Sequence, residues 1–205
     1  LSDKAAEFVV SAMAEAKPFF LYYAPLTLHG GIVPPPEKYT SRFDSGNRYT
    51  NEYAGHLLGL DEGIRRLFAA IEAKGQLDNT LFLFTSDNGC TLYNVPPHNA
   101  PNRGGKGTGW LGGLNVPLVA WGKGVQTKGV VQDLVSLADI MPTILDYAGL
   151  AAPDNISGTS FRAFLSGETE KGPRTAINSV SIHSSRWHYF HEGKGENNTR
   201  AGEFA

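Results

Sequence analysis

The chain has 205 residues, of which 41% are hydrophobic, so its length suits one sizeable domain with a real core. Its formal net charge of −2 gives no basic excess that would indicate a nucleic-acid partner. No apolar run approaches the roughly 20 residues of a membrane span, and the single cysteine, Cys90, excludes an intramolecular disulfide and a multi-cysteine zinc site.

The first half of the chain alternates helix and strand patterns. Residues 2–17 carry an apolar stripe at helical spacing and predict a helix that Pro18 ends. The aromatic run FFLYYA at residues 19–24 shows no alternation, which predicts a fully buried strand. After a proline-rich loop, residues 50–74 give the strongest helix pattern, and Gly75 lies where a C-terminal glycine cap belongs.

The second half opens with LFLF at residues 81–84, which predicts a second buried strand. Residues 88–115 are too rich in glycine, asparagine and proline, and too many, for a simple connection. The later patterns predict a strand at 117–121, helices at 136–148 and 160–167, and strands at 176–182 and 185–190. This order predicts an α/β fold with a largely parallel sheet, in which ligands collect beyond the carboxyl ends of the strands.

Asp87 and Asn88 follow the second predicted strand directly. A carboxylate and an amide carbonyl are hard oxygen donors that suit Ca²⁺ or Mg²⁺. Calcium takes roughly 6–8 oxygens, so these two residues supply only part of a site. An ordinary turn explains Asp-Asn-Gly equally well, and both interpretations stay open at this point.

Lys106 lies in the stretch RGGKGT, where glycines let the backbone approach a ligand and the ammonium supplies a point charge. Asn99 stands where a phosphate-binding Walker loop requires its first glycine, so that pattern fails. His29 follows the first predicted strand and is a candidate general acid or hydrogen-bond donor to an anion. For Lys106 or His29 taken alone, a loop position without a function is the simpler interpretation.

Taken together, these segments resemble the type I sulfatases of the alkaline phosphatase superfamily, in one consistent order over about residues 1–190. FFLYYA with His29 is similar to the family strand that leads to an active-site histidine. The helix at 50–74 followed by LDNTLFLFTSDNG resembles the central block, and RGGKGT with Gly112-Gly113 resembles the substrate-lysine loop. DIMPTILDYAGL, ISGTSFRAFLSGE and SRWHYF resemble a later helix, the Asp-Gly-x-Ser segment and a strand of the C-terminal subdomain.

The resemblance implies a mostly parallel sheet flanked by helices in residues 1–170 and a small antiparallel segment in residues 171–205. It implies a substrate that is a small-molecule or glycan sulfate ester, without a nucleic-acid partner or a membrane span, and it leaves the oligomeric state open. A periplasmic, secreted or lysosomal location is the family expectation.

The resemblance also assigns the site. Asp87 and Asn88 would bind a metal, usually Ca²⁺, with Mg²⁺ as the other possibility. Lys106 would contact the sulfate and stabilise its charge, and His29 would hydrogen-bond the ester and protonate the leaving group. The assignment is physically consistent, because sulfuryl transfer builds negative charge on the leaving oxygen, which positioned cations and donors stabilise.

The chain departs from the family pattern. It has no Cys/Ser-x-Pro/Ala-x-Arg motif, from which the family makes its formylglycine nucleophile, and it lacks the paired aspartates of the N-terminal part. Since the chain starts at Leu1 and opens into a helix, we expect these features upstream and expect this piece alone to be inactive or nearly so. Leu111 replaces a frequent acidic residue and Asn115 a frequent arginine, changes that bear on the salt-bridged bracing of the lysine loop and on substrate preference.

Two alternatives to a sulfuric ester hydrolase follow from these departures. The first is a non-catalytic binding protein on a sulfatase scaffold, which Leu111, Asn115 and the missing motif favour. The second is a phosphodiesterase or phosphonate hydrolase of the same superfamily, which ranks lower because those enzymes tend towards Asp-His-Gly where this chain has Asp87-Asn88-Gly89. Aryl sulfates, sulfated glycans and small alkyl sulfates all remain as substrates of the hydrolase.

Overall fold

A computed structural model gives the fold. It describes residues 1–15, 17–29, 34–91, 98–178, 181–184 and 188–190, the last two ranges as backbone strands. The contacts divide the chain into unit 1 (Leu1–Thr80 with Thr91–His98) and unit 2 (Leu81–Cys90 with Asn99–Ala205). The predicted boundary between residues 170 and 171 is a division of another kind and stays a prediction.

The described residues form helices and strands in the order that follows. The α-helices are α1 (Ser2–Ala14), α2 (Glu37–Thr40), α3 (Arg48–Glu72), α4 (Leu111–Leu114), α5 (Ile140–Tyr147) and α6 (Arg162–Leu165). The strands are β1 (Leu81–Thr85), β2 (Leu118–Gly122), β3 (Ala176–Asn178), β4 (Ser181–Ser184) and β5 (His188–Phe190). Within these described ranges no helix has the length and apolar character to cross a membrane.

Unit 1 is built on the packing of α1 against α3. The buried apolar side chains of these helices lie on the stripes that their sequences predict: Ala5, Val9, Leu67 and Ile71. Asn47 caps α3, because its side-chain oxygen accepts hydrogen bonds from two backbone N–H groups of the first turn. The predicted end of this helix is confirmed, since Gly75 takes the left-handed conformation (φ 63°) that suits a glycine cap.

The predicted buried strand at residues 19–24 is wrong for this structure. The segment has no strand partner among the described residues. Phe19 packs edge-on against Phe8 of α1 with ring centroids 5.9 Å apart, and the Tyr23 hydroxyl is hydrogen-bonded to a serine hydroxyl of α1 at 2.8 Å. Tyr22, on the alternate face, is 81% exposed. One face of the segment is therefore packed and the other open, which an uninterrupted apolar run conceals.

Unit 2 contains the pair β1–β2, whose strands run antiparallel in the register Leu81↔Gly122 to Thr85↔Leu118. The parallel pairing that the sequence predicts does not occur in any strand pair that the structure describes. A parallel pair needs a crossover, usually a long helix, and the connection between β1 and β2 holds only the four-residue α4. Antiparallel pairing sets the residues before β2 beside the residues after β1.

The predicted antiparallel C-terminal segment is confirmed as the three-stranded sheet β3–β4–β5. Its strands are shorter than predicted, because the pattern at 176–182 divides between β3 and β4. The pattern at 185–190 ends in β5, and residues 185–187 lie outside the described residues.

Asp139 ties the start of this C-terminal segment to α5. The carboxylate is fully buried and accepts hydrogen bonds from Arg174 Nε (2.7 Å) and from the backbone N–H groups of Thr159 (2.7 Å) and Ser136 (2.8 Å). Burial alone would raise the pKa of Asp139, but these hydrogen bonds and the Arg174 charge outweigh it and hold the pKa below its usual value. The predicted helix start at Ser136 is also confirmed, through a capping box with Asp139.

We expect Asp139→Asn to lower the free energy of unfolding at neutral pH by about 3 kcal/mol, because it leaves the Arg174 charge without its buried partner. Asp146→Asn is the matched control. Its ion pair with Arg162 (2.9 Å) is 40% and 45% exposed, so its loss costs under about 1 kcal/mol. Urea unfolding measures both variants, and equal losses would contradict the account.

The same variant has a predictable pH dependence. Folding lowers the pKa of Asp139, so the carboxylate contributes stability above its unfolded pKa, and this contribution is lost as pH falls through the lower folded value. The difference in stability between wild type and Asp139→Asn therefore shrinks on acidification below about pH 4. A difference that grows in acid would show that the pair is not the source.

Candidate active site

The turn after β1 presents two oxygen-bearing side chains. Asp87 is exposed and Asn88 is half-buried. The Ser86 hydroxyl donates to the Asn88 carbonyl at 2.9 Å, and the Asn88 side-chain nitrogen donates to the Gly89 carbonyl at 3.0 Å. Because the nitrogen of the Asn88 amide is used within the turn, its oxygen is the atom available to a ligand.

Glycine loops contact one another here through backbone atoms. The Gly89 N–H donates to the Gly113 carbonyl at 3.0 Å, and the Gly112 N–H donates to the Arg103 carbonyl at 2.7 Å. A Cβ atom on Gly89 would overlap the Gly112 carbonyl oxygen, and one on Gly112 would overlap the Gly104 carbonyl oxygen. Only hydrogen fits at these positions, so the spacing between the loops is set by the backbone itself.

Lys106 is fastened to the turn that carries Asp87 and Asn88. Its backbone N–H donates to the Cys90 carbonyl at 3.0 Å, two residues beyond Asn88. Thr108 closes the lysine loop, because its hydroxyl donates to the Gly105 carbonyl at 2.8 Å. The structure therefore brings the loop of Lys106 beside the Asp87–Asn88 turn, and the Lys106 residue is exposed.

The lysine loop is braced by an aromatic contact. The Arg103 guanidinium lies over the Trp110 ring, 4.0 Å from its centroid. Leu111 and Asn115, the two departures from the family pattern, lie at the start of α4 and just beyond its end, joined by the hydrogen bond from the Asn115 N–H to the Leu111 carbonyl (2.7 Å). With Leu111 in the usual acidic position, the Arg103–Trp110 contact supplies a brace that needs no carboxylate.

His29 belongs to unit 1 and is exposed. Its N–H donates to the Leu26 carbonyl at 3.2 Å, which closes a turn, and Leu28 within that turn takes a left-handed conformation (φ 78°) that residues with a Cβ rarely adopt. The turn fixes the backbone entering His29. The position of His29 relative to Lys106 stays a prediction.

The donors at the turn fit calcium in kind. Asp87 and Asn88 offer one carboxylate and one amide oxygen, which are hard ligands, but Ca²⁺ takes roughly 6–8 oxygens. Among the residues that the structure describes, no group of three or more His, Cys, Asp or Glu side chains is placed to hold a metal. The turn is thus a partial ligand set.

Sequence reasoning missed Asn99 as a functional residue. Its side chain hydrogen-bonds both the Cys90 backbone and the Gly104 carbonyl, which belong to the two loops of the site. The one signal at the sequence level was its place in a loop too long for a simple connection.

Comparison with known proteins defines the class. The crystal structure of Ps i-CgsB in complex with k-i-k-neocarrahexaose superposes with a TM-score of 0.80 at 25% identity, over 99% of this chain and 48% of that one. The putative sulfatase yidJ from Bacteroides fragilis superposes with a TM-score of 0.74 at 17% identity, over 92% of this chain and 47% of that one, which shows the fold alone. The fold is therefore the α/β fold of the alkaline phosphatase superfamily, which confirms the predicted class.

The family follows from sequence. The Sulfatase model matches residues 1–150, and the model for the C-terminal part of N-sulphoglucosamine sulphohydrolase matches residues 112–195. The chain is 31% identical to the uncharacterized sulfatase YdeN of Escherichia coli K12, over 94% of this chain and 34% of that protein, and 29% identical to mouse steryl-sulfatase, over 92% and 31%. The chain belongs to the sulfatase family. It spans about a third of the length of these curated relatives.

We expect Gly89→Ala to disturb the site because its Cβ must displace the Gly112 carbonyl. Gly107→Ala is the matched control: Gly107 is a lysine-loop glycine with φ 83° and open space around its Cβ position, so that variant carries only backbone strain. Gly89→Ala should cost about 2 kcal/mol more than Gly107→Ala in urea unfolding. Equal costs would show that the loops are not in backbone contact.

Proposed function

We propose that the full-length protein containing this chain hydrolyses a sulfate monoester. The observation that carries the proposal is the hydrogen bond from the Lys106 N–H to the Cys90 carbonyl, which puts a lysine loop beside a turn with two hard oxygen donors. A fixed ammonium next to a cation site is an arrangement that binds a divalent oxyanion. Membership of the sulfatase family makes sulfate the expected oxyanion.

In the proposed reaction the bond between sulfur and the ester oxygen breaks, and water is the final acceptor, giving inorganic sulfate and an alcohol or a phenol. Lys106 binds the sulfate oxygens and stabilises the negative charge that grows towards the leaving oxygen. His29 hydrogen-bonds the ester and delivers a proton to the leaving oxygen as it departs. These two roles need His29 to reach the same sulfate as Lys106.

Asp87 and Asn88 are the proposed ligands of Ca²⁺, with Mg²⁺ as the weaker candidate because it requires smaller octahedral geometry. When bound, the metal supplies positive charge to the sulfate oxygens, and the formylglycine of the family supplies the nucleophile. The substrate is a small-molecule or glycan sulfate ester, and the location is periplasmic, secreted or lysosomal.

We expect Lys106→Ala in the full-length protein to lower kcat on an aryl sulfate by about 10² to 10³, because a preorganised positive charge acts on the transition state. The matched control is Lys128→Ala, another exposed lysine of unit 2, which should leave kcat unchanged. The assay follows release of the phenol under calcium saturation.

The same assay separates the alternatives. Turnover of sulfate esters well above phosphate esters supports the proposal, and the reverse preference supports a phosphodiesterase or phosphonate hydrolase. Tight binding of sulfate esters without turnover supports a non-catalytic binding protein. A Lys106→Ala enzyme as active as the Lys128→Ala enzyme would contradict the assigned role of Lys106.

A further inference from the structure

Asn99 uses both ends of its carboxamide at the junction of the two loops. Its oxygen accepts a hydrogen bond from the Cys90 N–H at 2.8 Å. Its nitrogen donates to the Cys90 carbonyl at 2.9 Å and to the Gly104 carbonyl at 3.0 Å. One side chain therefore holds a residue next to the Asp87–Asn88 turn and a residue two positions before Lys106.

The chemistry of these partners selects an amide. Two carbonyl oxygens require donors, and one N–H requires an acceptor, all within reach of a single short side chain. The reversed orientation of the amide would face its NH₂ towards an N–H and its oxygen towards two carbonyls, so only one orientation satisfies all three groups. A carboxylate supplies no donor and an alkyl group supplies neither function.

Asn99 also reinforces the bond made by Lys106. The Cys90 carbonyl accepts from the Asn99 amide and from the Lys106 backbone N–H (3.0 Å) at the same time. The side-chain oxygen of Asn99 lies 3.2 Å from the position of a Cβ on Gly89, so the amide sits against the glycine contact that joins the turn to α4. Asn99 is thus in direct contact with each of the elements that fix the distance between turn and lysine loop.

We propose that Asn99 is a positioning residue, whose carboxamide fastens the turn that carries Asp87 and Asn88 to the loop that carries Lys106. The proposal rests on the proposed function for its effect on catalysis. Its structural part stands on the hydrogen bonds alone. Asn99 touches neither metal nor substrate in this role and acts through the residues that it holds.

The first test is backbone hydrogen exchange in the folded full-length protein. Asn99→Ala should raise the exchange rates of the Cys90 and Lys106 amides by about tenfold or more, because it removes the partner of one and weakens the acceptor of the other. Asn102→Ala is the matched control: it lies in the same loop, and its side chain makes no hydrogen bond among the described residues. Equal exchange at Cys90 and Lys106 in the two variants would overturn the proposal.

The second test uses calcium chloride alone as the probe, in a calorimetric titration. Residues that orient metal ligands typically contribute 10- to 100-fold in affinity. We expect Asn99→Ala to raise the Kd for Ca²⁺ by about tenfold and Asn102→Ala to leave it unchanged. An unchanged Kd in Asn99→Ala would show that the turn keeps its ligand geometry without the amide, and the proposal would be wrong.

The third test is a double-mutant cycle on kcat. If Asn99 acts through Lys106, then Asn99→Ala lowers kcat about tenfold in the wild type and at most about twofold when Lys106 is already alanine. Losses that multiply in full would indicate a general structural effect and contradict the positioning role. A wild type without sulfatase activity defeats the proposed function, whereas the exchange and calcium results still decide the role of Asn99.

A second variant keeps the proposal testable if Asn99→Ala does not fold. Asn99→Asp keeps the size of the side chain and the acceptor for the Cys90 N–H, and it removes both donors. We expect it to reproduce the faster exchange of the Lys106 amide. Wild-type exchange at Lys106 in a folded Asn99→Asp protein would overturn the proposal as surely as the same result in the alanine variant.

Discussion

Backbone-to-backbone contact between glycine loops is the constraint on which the candidate site depends. The Gly89 N–H bonds to the Gly113 carbonyl, and the Gly112 N–H bonds to the Arg103 carbonyl. With no Cβ between them, the loops meet at hydrogen-bond distance, and their spacing does not depend on a side-chain rotamer. A charged or metal-binding group carried by such loops is preorganised, which is what stabilisation of a developing charge requires.

The direction of the strands explains why these loops meet. Because β1 and β2 are antiparallel, with Thr85 opposite Leu118, the chain leaving β1 and the chain entering β2 lie at the same end of the pair. The Gly89–Gly113 bond carries the contact beyond the ladder. The sequence argument reached the right place, the end of β1, through a rule for parallel sheets that the described pair does not obey.

Local signals in the sequence predicted the elements well where one residue type decides the conformation. Gly75 ends α3 and Ser136 starts the following turn because a left-handed cap and a capping box have specific residue requirements. Residues 19–24 failed because apolar content does not reveal whether both faces of a segment are covered, and Tyr22 is open in this structure. The hydrogen bonds of Asn99 lie between loops that are distant in pattern, which no local rule predicts.

Two kinds of anchoring therefore serve different purposes in unit 2. The buried Asp139 carboxylate holds the C-terminal segment through its charge and its hydrogen bonds, and it keeps a depressed pKa as a result. The turn and the lysine loop are held by uncharged backbone and amide groups. This division leaves the carboxylate of Asp87 and the ammonium of Lys106 to act on a metal and an anion, with other groups holding their loops in place.

The most direct test is a crystal structure of the full-length protein with calcium and inorganic sulfate bound. The account predicts an anomalous calcium peak 2.3–2.6 Å from oxygens of Asp87 and Asn88, with a sulfate contacted by the Lys106 ammonium and by His29. A calcium peak bound by other residues, or a sulfate out of reach of Lys106, would contradict it.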